Sequence, residues 1–371
     1  MDEKVSSFKK GDLITPEQAM QLAIELAYLG AAYVSPNPLV GCVIVDRNHQ
    51  ILATGYHARF GAAHAEADAL AKVNVDELKN ATLYVTLEPC AHEGKTPSCA
   101  KAIAQLPIKK VIYGLTDPNP LVSGQGAAII QAAGKNAVEY EGPLKKDLED
   151  VCEIFLKNFR QKKIFIAAKV AASLDGQMGL KSGESKWITG ESSREHVHLL
   201  RARYDALLVG RNTIENDNPS LNIRHPDIKK HIKLIIMDPS GSLLTKAAQA
   251  NKFNFLKTHK KENIFFATKK LQLNSDYQQI EFLDLLDLTK KFWHLQIRSV
   301  LIEGGAYTYS SFLNAKLIDR LHLFLAPAVI GAANGLSWTS AFETESLQNK
   351  LILNNLKTQT FKPDIYITGT L

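Results

Sequence analysis

His64-Ala65-Glu66, then Glu88-Pro89-Cys90, then Cys99 succeed one another in a predicted strand-loop-helix order. Zinc takes neutral imidazole nitrogen and thiolate sulfur, and a catalytic site keeps its fourth position for water. One histidine and two cysteines meet that description when the fold brings the three positions to one point. Glu66, two residues beyond His64, faces such a water if the pair opens a helix, where the dipole favours the charged carboxylate. This set suits hydrolysis at an amidine-like ring carbon, with the carboxylate carrying a proton from water to the leaving amine.

A chain of 371 residues exceeds what one hydrophobic core usually serves, so two domains are expected. Apolar residues make up 45% and charged ones 22%, ordinary for a globular protein. No apolar run approaches the roughly 18 residues needed to span a bilayer. The opening MDEKVSSFKKGDLITPEQ is too polar for a secretory signal, so a cytoplasmic location without a membrane partner is expected. The net charge of +6 is spread among both signs. Pairs such as Lys9-Lys10, Lys162-Lys163 and Lys229-Lys230 read as solvated faces rather than a nucleic-acid stripe. In a reducing compartment the cysteines do not form a disulfide framework. Cys42 and Cys152 sit in apolar runs and read as small buried hydrophobes, which leaves Cys90 and Cys99 for chemistry.

Thr15-Pro16-Glu17-Gln18 is a helix start with a capping-box glutamine, and Gly30 is its stop. VGCVIVD, ILATGY, TLYVT, KKVIYG and a stretch near AVEYEG read as strands, alternating with helices near 63–73, after Pro97 and at AAIIQAAG. This pattern predicts a three-layer α/β/α domain. The charged, helix-like stretch from Gly142 to Lys163 reads as a connector, with domains at 1–147 and 148–371. A second α/β series follows, with strands IFIAAKVAAS, DALLVG, KLIIMD, NIFFAT, SVLIEGG and LHLFLAP, and helices near 193–203 and 307–315.

His-x-Glu followed by Pro-Cys is the signature of zinc nucleobase deaminases, with the loop AHEGKTPS separating the cysteines more widely than usual. SPNPLVGCVIV, GYHARFGAAHAEADAL, YVTLEPCAHEGKTPSCA and TDPNPLVSGQG resemble the deaminase half of the bifunctional riboflavin-biosynthesis deaminase/reductases, in which the long insert is characteristic. The resemblance implies a cytidine-deaminase-like domain in which His64, Cys90 and Cys99 bind Zn2+ and Glu66 is the acid/base. Asn37, His57, His92, Lys95 and Asn119 would approach a pyrimidine ribotide. Ala63 and Ser98 stand where the family commonly has proline.

In the second half, Glu303-Gly304-Gly305 and Gly210-Arg211-Asn212-Thr213 each follow a strand, and glycines there let backbone N–H groups approach a phosphate. Neither is a GxGxxG fingerprint. KVAASLDGQM, SGESKWIT, LLRARYDALLVGRNTIENDNPSLNIR and IEGGAYTYSSFL resemble the reductase half of the same family, similar in fold to dihydrofolate reductase. That resemblance implies that Ala171, Trp187, Thr213, Asp217, Ser240 and the stretch from Gly305 hold NADPH. Ser185, Arg201, Leu221, Arg224 and Glu303 would hold the substrate, with the two arginines suited to a ribose phosphate. Lys169 and Asp175 are expected in support. Enzymes of this kind are often homo-oligomers, so self-association is expected. A polynucleotide deaminase would want an aromatic-lined basic groove at the metal, and the zinc loop offers Lys95 with little aromatic content. A silent zinc-stabilised protein would have no use for Glu66.

Overall fold

In the computed structural model, which describes residues 7–92, 98–119, 123–249, 252–272 and 275–371, the chain divides into Met1–Lys162 and Lys163–Leu371. The division falls one helix later than the expected break after residue 147. The stretch read as a connector is a single helix, Lys145–Gln161, whose Leu148, Val151, Cys152 and Leu156 are buried in the first unit's core. An amphipathic helix belongs to the body that covers its apolar stripe.

The first unit runs α1 (Pro16–Leu29), β1 (Gly41–Val45), β2 (Ile51–Tyr56), α2 (Ala65–Leu70), β3 (Thr82–Leu87), α3 (Cys99–Gln105), β4 (Lys110–Leu115), α4 (Gln125–Ala132), β5 (Asn136–Glu139) and α5 (Lys145–Gln161). Thr15 caps α1 as expected: its hydroxyl accepts from the Gln18 N–H at 3.2 Å, and the Gln18 carbonyl oxygen accepts from the Thr15 N–H at 2.9 Å. The sheet order is β2-β1-β3-β4-β5, antiparallel at β2/β1/β3 and parallel at β3/β4/β5. Alternate strand residues serve opposite faces. Val43, Val45 and Tyr84 join a core with α1 and α5, whereas Cys42, Ile44, Leu83 and Val85 join one with α2, α3 and α4. This is the three-layer arrangement the sequence predicts, and it places the starts of α2 and α3 beside the end of β3.

The second unit runs β6 (Phe165–Ser173), β7 (Gln177–Leu180), α6 (Glu191–Arg203), β8 (Ala206–Gly210), α7 (Arg211–Asp217), β9 (Lys233–Met237), α8 (Ser242–Gln249), α9 (Asn254–Thr258), β10 (Ile264–Thr268), β11 (Gln278–Glu281), α10 (Leu285–His294), β12 (Ser299–Glu303), α11 (Ala306–Asn314), β13 (Arg320–Ala326), β14 (Gly335–Ser337), β15 (Asn354–Phe361) and β16 (Asp364–Thr370). Its main sheet has the order β11-β10-β9-β8-β12-β6-β13-β16-β15, and β14 pairs with β7. The strands from β11 through β13 are parallel, and β13, β16 and β15 are antiparallel. All six expected strands are present. The β15–β16 hairpin was not foreseen, because β15 (NNLKTQTF) is exposed along most of its length and shows no apolar alternation. Asp175, an expected support, accepts backbone N–H bonds from Ile330 at 3.1 Å and Gly331 at 2.7 Å, tying the turn after β6 to the segment before β14. Among the described residues no helix is long and apolar enough to cross a membrane.

Candidate active sites

His64 is the N-cap of α2, Cys90 follows β3, and Cys99 is the first residue of α3. The His64 Nδ1 atom lies 3.5 Å from the Cys90 sulfur and 3.4 Å from the Cys99 sulfur. A tetrahedral zinc with Zn–S near 2.3 Å and Zn–N near 2.0–2.1 Å would set a sulfur and a nitrogen ligand about 3.6 Å apart. The three donors therefore fit that ion by spacing and by chemistry. All lie within 4.8 Å of one another. A hydrogen bond from Cys99 draws the Cys90 thiol well below its usual value; the same bond, with burial, pushes Cys99 up. Ready loss of the first thiol proton favours metal uptake, since the ligands bind deprotonated. Ser98, the departure from the family's proline, has its own role. Its hydroxyl donates to the Cys90 carbonyl at 2.7 Å and accepts from the Lys101 N–H at 3.2 Å, capping α3 while joining the two cysteine segments.

Glu66 sits in the first turn of α2 and is 3% exposed. Burial pushes its carboxyl up to about 7. It lines, with His64 and Cys90, a cavity of about 480 Å³. Asn37, His57, His92 and Asn119 line the same cavity; Lys95 lies outside the described residues. His57 Nδ1 is 2.9 Å from the Ala63 carbonyl, and its Nε2 is 3.1 Å from the Asn37 amide. That pairing assigns the proton to Nδ1. Burial lowers the His57 pKa, which favours the neutral ring.

Asp117, Phe60, Phe155 and Phe159 are among the lining residues that were not singled out from the sequence. Glu88, grouped with the chemistry in the Glu-Pro-Cys triplet, has a structural task. Its carboxylate accepts N–H bonds from Asp117 at 3.1 Å, Gly124 at 3.0 Å and Ala127 at 3.1 Å, which closes the start of α4 onto the end of β3. Gly126 permits this approach, since a Cβ there would stand 1.9 Å from the Pro89 carbonyl oxygen. Glu88→Gln turns one acceptor oxygen into a donor facing backbone N–H groups. The first unit should then lose about 2–3 kcal/mol, read as an earlier midpoint of its urea transition; an unmoved midpoint contradicts the clamp.

In the second unit a cleft of about 930 Å³ opens outside the carboxyl ends of β8, β9 and β12, where open α/β sheets take ligands. Ser185, Thr213, Asp217, Ser240 and Gly305 line it, joined by Arg211, Lys269 and Tyr307. Ser185 donates to Asp217 at 2.8 Å, so the residue assigned to substrate and the one assigned to cofactor hold each other. Gly304 and Gly305 have φ of +92° and +82°, and a Cβ on Gly304 would stand 2.9 Å from the Thr213 methyl. The double glycine thus has both a conformational and a packing reason.

The remaining expected residues lie outside that lining. Trp187 is 74% exposed with φ +66°, and the Arg194 guanidinium lies 4.5 Å from its ring centroid. Ala171 is inside β6, paired with Phe324 of β13. Leu221 is buried with φ +55°. Arg224 borders a smaller pocket of about 360 Å³ with Asn222 and His259. Arg201 does not hold a free fork: Nε and Nη2 donate to the Glu303 carboxylate at 2.7 and 3.0 Å, and Nη1 donates to the Asn222 carbonyl at 2.8 Å. Lys169 adds a contact to Glu303 at 3.1 Å. Burial alone would raise Glu303, but Arg201 and Lys169 override it and hold the carboxyl near 2.

Residues 14–115 match the cytidine and deoxycytidylate deaminase zinc-binding region, and residues 164–367 match the RibD C-terminal domain. The riboflavin biosynthesis protein RibD of Actinobacillus pleuropneumoniae is 38% identical over 343 residues, covering 88% of this chain and 86% of the relative. That of Aquifex aeolicus is 36% identical, covering 94% and 96%. Among solved structures, the Thermotoga maritima diaminohydroxyphosphoribosylaminopyrimidine deaminase/5-amino-6-(5-phosphoribosylamino)uracil reductase superposes with a TM-score of 0.81 at 32% identity, covering 95% of this chain and 98% of that one. Acinetobacter baumannii RibD gives 0.80 at 34% identity, covering 95% and 97%. The chain belongs to the RibD family of bifunctional riboflavin-biosynthesis enzymes, a zinc-binding deaminase domain followed by an NADPH-dependent reductase domain.

Proposed function

We propose that the first unit deaminates 2,5-diamino-6-ribosylamino-4(3H)-pyrimidinone 5′-phosphate to its uracil analogue, and that the second reduces the ribosyl chain of that product to ribityl. The observation that carries the first step is the buried carboxyl of Glu66 in one cavity with the convergent donors of His64 and Cys90. The activities in the name of the Thermotoga maritima relative support the substrate assignment.

When held by His64, Cys90 and Cys99, zinc supplies the Lewis acidity that makes water a nucleophile at neutral pH. Glu66 accepts a proton from the attacking water on a carboxylate oxygen and delivers it toward the departing amine. Oxygen replaces nitrogen on the ring carbon, and ammonia leaves. Asn37, oriented by His57, offers hydrogen bonds to the ring edge; His92, Asn119 and Lys95 are assigned to the ribose phosphate, with Lys95 suited to its charge.

In the second unit NADPH, when bound, supplies a hydride for the first carbon of the sugar. Thr213, Asp217, Ser240 and the backbone at Gly305 are the groups the cleft offers to that cofactor, with Ala171 and Trp187 assigned by resemblance alone. Ser185, Leu221, Arg224, Arg201 and Glu303 are assigned to substrate, the last two acting as an ion pair rather than as separate charges. The two activities are assigned to the two compact units, Met1–Lys162 and Lys163–Leu371. A cytoplasmic homo-oligomer completes the reading, and light scattering of the purified protein tests the self-association.

Mass spectrometry of products from the diaminopyrimidine ribotide separates the two steps. The expected result is one mass change without NADPH and a second, of two hydrogens, only with it. A single change under both conditions overturns the assignment of the second unit.

A further inference from the structure

Helix α5 carries Phe155 and Phe159 one turn apart, with ring centroids 5.8 Å apart and planes tilted by 41°. Both rings line the cavity that holds His64, Glu66 and Cys90. The helix is keyed in place by its apolar stripe, and Phe155 packs partly against the same core. Leu148, Val151 and Leu156 are buried in the core, and the Cys152 thiol donates to the Leu39 carbonyl at 3.7 Å. That bond joins α5 to the segment that brings Asn37 and Pro38 to the cavity. The two rings are therefore presented by a fixed element, and each is only half-buried.

The cavity's polar groups, Asn37, Glu66 and Asp117 among them, can satisfy the edge of a heteroaromatic ring, whose faces call for apolar or aromatic surface. Phe60, the third aromatic of the lining, is 51% exposed. Phe155 and Phe159 offer an apolar π surface, and bases stack on such surfaces regardless of edge pattern. We propose that Phe155, backed by Phe159, stacks on the pyrimidine ring of the substrate, so that helix α5 is part of the deaminase binding site. The inference rests on the reading of the first unit as a pyrimidine ribotide deaminase. The wall lies beyond residue 115, where the match to the zinc-binding region ends. A planar heteroaromatic substrate is held by it; an acyclic amidine presents a much smaller face and is turned over poorly.

The test uses the full zinc-loaded chain with Phe155→Ala, Phe155→Leu and Phe155→Tyr. Loss of one base–aromatic contact raises KM for deamination roughly 10- to 100-fold. The Ala and Leu variants are expected to show this rise with kcat within a few-fold of wild type, whereas Tyr, which keeps the π face, restores KM. Leu fills most of the volume, so a wild-type KM in Phe155→Leu means the residue merely packs, and overturns the proposal. Unchanged zinc content and unchanged NADPH-dependent reduction of the deaminated ribotide show that the variants are folded. Calorimetric titration with cytidine 5′-monophosphate reads the same wall without turnover. If wild type releases no ammonia from the ribotide, the assigned reaction fails, yet weakened binding of this probe in Ala and Leu, but not in Tyr, still supports the wall. Equal binding by all four proteins overturns it.

Discussion

Glu66→Gln should abolish ammonia release, lowering its kcat by roughly 10²- to 10⁴-fold, the usual contribution of a positioned acid/base. The amide has the shape of the carboxyl it replaces but cannot accept the proton of the attacking water. Glu66 is not among the three convergent donors, so zinc content should stay at wild type. Stability should hold or rise, because burial already disfavours the charge at this position, as the upward shift of its carboxyl to about 7 records. Reduction of the pre-deaminated ribotide with NADPH should proceed at the wild-type rate, since that reaction is assigned to the other unit. Ammonia release within ten-fold of wild type, with zinc present, would sink the assignment of Glu66. Loss of zinc in the variant would instead make Glu66 a structural support of the ligand set.

The metal donors were legible because few side chains bind zinc, and a histidine and two cysteines in strand-loop-helix order have few other uses. The place of Glu66 in the cavity was legible by its spacing from His64. Phe155 and Phe159 were not, because phenylalanines at i and i+4 in an amphipathic helix read as core, and only packing shows which face is covered. The structural task of Glu88 was hidden for another reason: its place in the Glu-Pro-Cys triplet suggested chemistry, while its three backbone partners lie in a loop and helix start that only the fold brings near. The stretch 142–163 read as a connector because a charged helix looks like a linker until its buried residues are known. In the second unit, parallel strands announced themselves as apolar runs, whereas the exposed β15 carries no such signal. That Arg201 is held by Glu303 was not legible, because an arginine's partner is not written in its neighbours: Arg201 lies on α6 and Glu303 ends β12.

That ion pair supports the other large prediction. Glu303→Gln should destabilise the second unit by about 3–5 kcal/mol at neutral pH, since it leaves Arg201 and Lys169 around a neutral group in a buried site. In calorimetry this corresponds to a fall on the order of 10 °C in that unit's transition, with deamination at 25 °C unaffected. The carboxyl is held near 2 against a usual 4.5, a difference of order 3 kcal/mol in favour of the folded state. Because the folded value lies below the unfolded one, this contribution is complete above about pH 4.5 and is lost as pH falls toward 2. Wild type should therefore shed stability through that acid window, and Glu303→Gln should lack that component, so the two curves converge at low pH. Parallel curves from pH 7 to pH 3 would mean that Arg201 and Lys169 find other partners when the carboxylate is removed. The pair would then be a surface-like contact of small consequence, despite Glu303 being 5% exposed.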